Sequence, residues 1–316
     1  MDRQHYPSVL ARRLGLAVAI FACIASPCFA QSVSLHRTPE GRPDFQGNWS
    51  SRWLTPVERP AGVTELELDD AEAAKLMADI LTRANKNNPL DPELAEPDGS
   101  TLAIVRGKAR SSLIVSPDDG RLPYTDAGRI AARGYITGLD GPEQRMTTER
   151  CIGGVGWAPL QIRSASMIHR IVQTPTYMVL QTEAYDDTRI ISIGGAFRPD
   201  VMHPNGGESV ARWEGDVLEV TTRHLNPEFS THGIITVTSP AAEIVERFEL
   251  VSADEVVYCY TITDPAYYSR PWTAEYSLVR TRDQLYEFAC HEGNYSLAGM
   301  LSGARREQHL AEKAGQ

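Results

Sequence analysis

The second half of the chain is a succession of short strand-like runs, and this feature restricts the fold more than any other. Each run is rich in β-branched and aromatic residues and is bounded by Gly, Pro, Asn or Asp, as strands joined by turns are. Nine such runs follow Met167: IHRIVQT, YMVLQTEA, RIISIGG, SVARWEG, DVLEVTTRHL, AEIVERFELVS, EVVYCYTIT, WTAEYSLVR and QLYEFAC. They predict a mainly β domain over residues 151–316, an antiparallel barrel or sandwich of about nine strands with a C-terminal tail.

Residues 31–150 are predicted to form an N-terminal arm. The run from Leu66 to Asn85 has apolar residues at helical spacing behind the capping candidates Asp69 and Asp70, which predicts an amphipathic helix. SSLIVSPDDGRLPYT is typical of a hairpin with its turn at Pro117–Gly120. Thr125 is then expected to cap a short helix that Gly134 ends.

The first thirty residues have the order of a signal peptide. Arginines precede the apolar run LGLAVAIFACIA, and SPCFA follows just before Gln31. We therefore expect cleavage near Gln31 and a periplasmic or secreted protein. The apolar run is too short for a permanent span, so no stable membrane insertion is expected. Lipid attachment at Cys23 or Cys28 is the alternative, although Pro27 directly precedes Cys28.

The mature protein is acidic. Loss of residues 1–30 removes one acid and three bases, so the formal charge of −10 becomes −12. Nucleic acids and anionic membranes attract basic surfaces, and no run of more than two consecutive Lys or Arg occurs in the chain. We therefore expect no nucleic-acid partner.

Three cysteines remain after export: Cys151, Cys259 and Cys290. An oxidising compartment allows one intramolecular pair among them. A Cys151–Cys290 bond would join the start of the barrel region to its last run, whereas Cys259 lies in the middle of a predicted strand. The sequence therefore predicts a Cys151–Cys290 disulfide and a buried Cys259 thiol.

Aromatic residues share one face of two neighbouring runs. Tyr258 and Tyr260 alternate with smaller residues in EVVYCYTIT, and Trp272 begins WTAEYSLVR. Buried tyrosine hydroxyls need hydrogen-bond partners. The interior is therefore either a core with a polar network or a pocket for a ring-bearing ligand, and the pattern leaves both open.

Several segments resemble a large family of exported bacterial proteins whose members generally carry the label hypothetical. The resemblance rests on RTPEGRPDFQGNWS, ERCIGG, RWEGDVLEVTT, RPWTAEYSL and YEFACHEGNYSLAGMLSGAR, and it extends over nearly all of the mature chain. It implies export but no activity. Two departures from the family pattern are Asp200, where His is common, and Cys259. In addition, the Gly47–Trp49 triplet GNW is similar to the Gly-x-Trp that opens lipocalin-type barrels, which implies a calycin-like barrel.

No familiar cofactor motif is present. Cys-x-x-Cys and His-x-x-x-His spacings are missing, and His203, His224, His232 and His291 are scattered, so we expect no metal. GGVGWAP lacks the Lys-Ser/Thr ending of a phosphate loop, and no Gly-x-Ser-x-Gly elbow occurs. We therefore expect no cofactor, which leaves acid/base chemistry or binding alone.

The candidate site residues come from the ends of the strand-like runs. We expect His291, His203, Asp187 and Glu292 to be catalytic, because histidine carries protons near ambient pH and a carboxylate can orient it. The candidate substrate-binding residues are Arg189, Arg198, Tyr258, Tyr260, Tyr267, Arg270, Trp272 and Tyr295. Structural alternatives exist: Asp187 is a turn residue, His291 an exposed neighbour of the disulfide, and Arg270 a cation–π partner of Trp272.

These observations favour an exported small-molecule enzyme. It would act without a cofactor on an apolar or aromatic catabolic substrate, as a lyase, an isomerase or a hydrolase. The alternative is a lipocalin-type periplasmic binding protein, which needs the same aromatic residues but no proton carrier. A structural envelope protein is a third possibility that leaves the aromatic face unexplained.

Overall fold

The computed structural model describes residues 35–87, 101–134, 141–142, 145–160, 162, 168–198, 203–226, 231–232 and 236–314. The predicted signal peptide and the arm residues 31–34 lie outside the described residues. From Leu35 onward the chain forms one compact unit.

Strands dominate the described residues. The first five are β1 (Gly47–Ser50), β2 (Glu67–Leu68), β3 (Ile104–Val105), β4 (Lys108–Arg110) and β5 (Ile114–Ser116). The next five are β6 (Ile168–Gln173), β7 (Tyr177–Thr182), β8 (Thr188–Ile193), β9 (Glu208–Glu214) and β10 (Val217–Arg223). The last five are β11 (Thr231–His232), β12 (Thr236–Val237), β13 (Glu243–Ser252), β14 (Glu255–Thr263) and β15 (Trp272–Arg280). The helices are α1 (Asp70–Asn87), α2 (Asp126–Gly134) and α3 (Tyr295–Ala314).

Nine of these strands close a barrel. Its order is β1-β6-β7-β8-β9-β10-β13-β14-β15, and β1 pairs with β15 to complete the circle. β5 extends the sheet beside β15, while β2, β3 and β4 form a small sheet of their own and β11 pairs with β12. The predicted barrel is confirmed.

The expectation of a purely antiparallel barrel is wrong at one place, because β8 and β9 run parallel. Neighbouring strands such as β9 and β10 are instead joined by a tight turn, here at Gly215, which reverses the chain. Between β8 and β9 the chain has residues 194–207 in which to cross over. A connection of this length allows the next strand to enter in the same direction.

The ninth barrel strand comes from the N-terminal part of the chain. QLYEFAC, expected to be a strand, has no strand conformation, and Tyr286 within it is exposed. β1 takes the place between β6 and β15 instead. Its Trp49 is fully buried, donates a hydrogen bond from Nε1 to the Phe45 carbonyl at 2.9 Å, and lies under the Arg280 guanidinium at 4.3 Å.

The predicted helices before the barrel are present. Asp69 and Glu72 form a capping box at the start of α1, because each side chain accepts the other's backbone N–H. The Thr125 hydroxyl accepts the Gly128 N–H at the start of α2. The turn at Pro117–Gly120 also forms, but β5 pairs with β15 rather than with the residues after that turn.

The barrel interior is a packed core with a polar network. Phe248, Tyr258, Tyr276 and Trp272 are fully buried in one cluster. Tyr258 donates to a Glu246 carboxylate oxygen at 2.7 Å, which satisfies its hydroxyl. The sequence left two interpretations of the aromatic face open, a core with a polar network or a ligand pocket. In the structure, this face forms a core with a polar network.

A buried segment, Gly153–Leu160, fills part of this interior, and we call it the plug segment. The Leu160 N–H donates to the Tyr258 hydroxyl, and the Leu160 carbonyl accepts from the Tyr276 hydroxyl, both at 2.8 Å. Glycine is required at position 153, where φ is +110° and a Cβ would lie 2.2 Å from an Asp187 carboxylate oxygen. The side chains of β14 and β15 therefore hold the end of the plug segment.

The Cys151–Cys290 disulfide is confirmed. Cys290 lies in the irregular segment after β15 rather than at the end of a strand, so the bond fastens that segment to the residue two positions before the plug segment. Cys259 is a free thiol, as expected, although it is only partly buried. Burial raises the pKa of this thiol to about 11. Within the described ranges, no helix combines the length and apolarity needed to cross a membrane.

Candidate functional site

A cleft of about 700 Å³ opens where β8 and β9 meet. The two strands pair only at Ser192 with Val210 and at Ile193 with Ala211, so their first residues are not bonded to each other. The cleft lies along this unpaired stretch, and we call it the β8–β9 cleft. Its lining consists of Trp157, Tyr177, Thr188, Arg189, Ile190, Ser192, Ala196, Arg198, Pro204, Asn205, Gly206, Gly207, Glu208, Ser209 and Val210.

Arg189 provides a buried positive charge in the wall of the cleft. Its Nη1 and Nη2 atoms each donate to one oxygen of the buried Glu246 carboxylate at 2.8 Å. Burial opposes the charge, but Glu246 outweighs it, and the pKa of Arg189 is raised. Among the described atoms, the buried Arg189 Nε has no hydrogen-bond acceptor. A buried donor without a partner costs free energy.

A second arginine and a carboxylate lie on the other side of the cleft. The Arg198 Nε donates to Glu208 Oε1 at 2.9 Å, while two-thirds of the Arg198 side chain is exposed. Glu208 Oε2 lies 3.3 Å from His224 Nδ1. Burial would raise the pKa of Glu208, but hydrogen bonds from Arg198 and His224 outweigh it and hold that pKa below its usual value. Glu208 is therefore a carboxylate that orients a histidine, the arrangement general bases use.

His224 has two further ring neighbours. The ring of His203 lies 5.9 Å away and that of Phe197 5.7 Å away, both edge to face. His224 itself has a left-handed backbone with φ of +58°. Such a conformation is uncommon for a residue other than glycine and is often found at functional sites.

The inner wall of the cleft depends on Asp187. One oxygen of this carboxylate accepts the backbone N–H groups of Gly154, Val155 and Gly156 at 2.8, 2.9 and 3.0 Å. Trp157 adds a side-chain hydrogen bond. Burial raises the pKa of Asp187, while these hydrogen bonds oppose the shift. Asp187 thus fixes the plug segment where Trp157 lines the cleft.

The cleft brings together several of the predicted site residues. Arg189 and Arg198 both line it, as the prediction of a polar-group binder requires, whereas His203 contacts the ring of His224 and neither histidine is among the lining residues. Asp187 lies directly behind the wall, with its carboxylate bound to the backbone of the plug segment.

The remaining predicted residues lie elsewhere. Tyr258, Tyr260 and Trp272 are buried in the barrel core. Tyr267 packs at the edge of that core, and Arg270 is exposed.

His291, Glu292 and Tyr295 belong to the segment around the disulfide, and all three are exposed. Within the described part of the chain, no hydrogen bond or ion pair involves the His291 side chain. Their predicted roles stay predictions.

The sequence reasoning did not select Glu208 or Trp157, and it considered His224 only as a scattered metal ligand. The signal for His224 and Glu208 was available in part, because both stand at the ends of strand-like runs. Nothing in the sequence indicates that the crossover at residues 194–207 places β9 beside β8. Over the described residues, no group of three or more His, Cys, Asp or Glu side chains is arranged to hold a metal ion.

A buried histidine nearby has a different character. The two ring nitrogens of His169 form hydrogen bonds with the Ser51 and Thr182 hydroxyls at 2.8 and 2.9 Å. All three residues are fully buried. Burial, and then the Arg189 charge, lower the pKa of His169 to about 3. It is a neutral, fully buried member of the core network.

No protein-family model matches the chain, and no curated protein matches it significantly.

Proposed function

We propose that the β8–β9 cleft binds a small carboxylate and that the protein acts on it by cofactor-free acid/base chemistry. One observation carries the proposal: the buried Arg189, with an unsatisfied Nε–H, shares the cleft with Glu208, which is bonded to His224. The arginine supplies an anion site, and the glutamate–histidine pair supplies a proton carrier.

The balance of charge in the cleft disfavours a doubly charged anion. Arg189 is already paired with Glu246, and Arg198 with Glu208, so the four groups together are close to neutral. A dianion such as a phosphate monoester would bring more negative charge than these paired groups compensate. A single carboxylate brings one charge and can accept two or three N–H donors. Trp157, Tyr177 and Ile190 offer contact to an apolar or aromatic body.

His224 is the general base of this proposal. With Nδ1–H directed at Glu208, the imidazole Nε2 takes a proton from the substrate, and the carboxylate stabilises the imidazolium that forms. Return of that proton to another substrate atom gives an isomerisation, and departure of a neighbouring group gives an elimination. Catalysis by a lyase or an isomerase thus requires only this pair.

Export fits the same proposal. Disulfides such as Cys151–Cys290 persist in oxidising compartments, so we place the protein in the periplasm or outside the cell.

The test uses proton exchange, which requires no knowledge of the product. The wild-type protein is incubated in D₂O with a panel of aliphatic and aromatic carboxylates, and carbon-bound deuterium and new products are followed by NMR. His224→Gln should lower the rate about a hundredfold, because one general base contributes that much or more. His309→Gln is the matched control, since His309 also lies beside a glutamate but on the exposed α3, and it should leave the rate unchanged.

Binding is measured separately by calorimetry. Arg198→Ala should weaken carboxylate binding about tenfold, as loss of one charge-assisted hydrogen bond does. Arg212→Ala is its control: Arg212 has nearly the same exposure, 68% against 67%, but pairs with Glu214 outside the cleft. If no carboxylate binds, or if Arg212→Ala weakens binding as much as Arg198→Ala, the proposal fails.

A binding protein without catalysis is the second candidate. It is favoured by the position of His224 behind Glu208 rather than in the lining of the cleft. Carboxylate binding that depends on Arg198, with neither exchange nor turnover, would establish it. Loss of turnover in His291→Gln but not in His224→Gln would instead support the sequence prediction for His291.

A further inference from the structure

An apolar strip runs across the outer face of the barrel from the edge of the β8–β9 cleft. Ile190 on β8 is paired with Val179 on β7, which is paired with Val172 on β6, so the three form a row across neighbouring strands. Tyr177 lies two residues before Val179 and so on the same face of β7. We call these four residues the outer apolar strip.

Three of the four side chains of the outer apolar strip are exposed to solvent, although they are apolar. Ile190 is 63% exposed, Tyr177 47% and Val172 42%. Scattered exposed apolar residues are ordinary, but a contiguous row at the edge of a concave site indicates a binding surface. Ile190 and Tyr177 belong to the strip and to the lining of the cleft. The strip is therefore continuous with the anion site.

We infer that the ligand is an amphipathic monocarboxylate whose carboxylate lies against Arg189 and Arg198 while its apolar tail extends over the outer apolar strip. This inference rests on the proposed function, because the carboxylate site fixes one end of the ligand. The tail leaves the cleft past Ile190 and Tyr177, since these are the residues that the cleft and the strip share.

The chemistry of the surroundings supports an uncharged tail. The cross-strand partner of Tyr177 is Ser192, and the partner of Ile190 is Val179, so the shared edge has no charged pair. Charged side chains of the cleft lie at its inner end, where Arg189 meets Glu246, and on the Arg198–Glu208 side. A ligand with charges at both ends would leave one of them over apolar residues, where it loses hydration without a partner.

The test measures how affinity depends on chain length. Binding of acetate, butanoate, hexanoate and octanoate to the full chain is followed by calorimetry below the concentrations at which these acids aggregate. For the longer acids, affinity should rise two- to fourfold per added methylene, since full burial of one CH₂ corresponds to about fourfold and a tail on an open face is buried in part.

Variants locate the tail. Ile190→Ser should flatten the chain-length dependence, so that octanoate loses more affinity than acetate does. Ile104→Ser is the matched control, because Ile104 is also an exposed strand isoleucine but belongs to the small sheet of β2, β3 and β4, and it should keep the full dependence. Circular dichroism of each variant checks that the barrel is retained.

The outcomes separate the inference from the proposed function. Acetate binding that depends on Arg198, with equal affinity for all four acids, would overturn the inference and leave the proposed function standing. A steep dependence that survives Ile190→Ser would also overturn it, because the tail would then lie elsewhere. A change of oligomeric state on Ile190→Ser, seen by light scattering, would assign the strip to contact between copies of the chain. Failure of every acid to bind would overturn both proposals.

Discussion

The buried His169 makes the stability of this protein depend on pH between about 3 and 6.5, and the upper part of this window lies above the range in which most carboxylates titrate. Burial, with a further contribution from Arg189, lowers the pKa of His169 from the ordinary 6.5 to about 3. In the unfolded chain the imidazole regains its ordinary pKa. Between these two values the unfolded state binds one proton more than the folded state, so stability falls as pH falls.

The size of the effect follows from the two pKa values. Above pH 6.5 both states are neutral at this residue, and the full contribution is present. Below it, the free energy of unfolding decreases by about 1.4 kcal/mol per pH unit. From pH 6.5 to pH 5.0 the expected loss is therefore about 2 kcal/mol from this one residue.

Urea unfolding of the wild type and of His169→Gln at pH 7.0, 6.0 and 5.0 measures this loss of unfolding free energy. The variant is less stable at neutral pH, but its stability should depend less on pH, so the difference between the two proteins should shrink by about 2 kcal/mol on acidification. Where the variant does not fold, NMR of the His169 ring in the wild type serves instead and should show a neutral imidazole at pH 5. A ring that titrates near its ordinary pKa, or parallel pH profiles for the two proteins, would refute the reasoning.

Three further perturbations have defined outcomes. Glu246→Gln leaves the buried Arg189 without its counter-charge and should cost about 3 to 5 kcal/mol in urea unfolding; a loss under 1 kcal/mol would mean that the pair is hydrated. The double alanine variant of Cys151 and Cys290 should lose up to about 4 to 5 kcal/mol, because the bond closes a long loop, and an unchanged unfolding midpoint would contradict this. Asp187→Ala removes the acceptor of three backbone N–H groups and should speed hydrogen exchange at Gly154 and its two neighbours by at least tenfold, with unaltered exchange as the contrary result.

Local patterns in the sequence predicted the parts of the fold that depend on local physics. Alternating burial along β13, β14 and β15 follows the alternating hydrophobicity of these runs. The capping box at Asp69 and Glu72 and the cap at Thr125 are likewise fixed by residues within one turn of each helix.

Placement of distant segments against each other was not predictable in the same way. QLYEFAC has the composition of a strand, yet β1 takes the ninth place because Trp49 fills the core and pairs its ring with Arg280. The composition of a strand indicates that it suits a half-buried surface, but it does not indicate which strand it pairs with. The parallel meeting of β8 and β9 is of the same kind, and since the cleft lies there, the site was only partly predictable.

The plug segment illustrates why a motif needs its partner before its chemistry can be interpreted. GGVGWAP lacks the lysine and the Ser/Thr of a phosphate loop, and the sequence gives no other use for its glycines. In the structure three successive N–H groups of this segment converge on one carboxylate oxygen, which is how a backbone nest holds an anion. The anion is Asp187 of the same chain, two residues before Arg189.

Asp187 therefore holds the plug segment in place beside the cleft. Its bond to the plug segment holds Trp157 in the wall, and Gly206 packs so closely against that indole that a Cβ would lie 2.8 Å from the ring. The plug segment is fixed near one end by the Cys151 disulfide and at the other by the tyrosine hydroxyls that bond Leu160. These three attachments hold Trp157 in the wall of the cleft that Arg189 also lines, so the proposed carboxylate would meet a wall that is already in place.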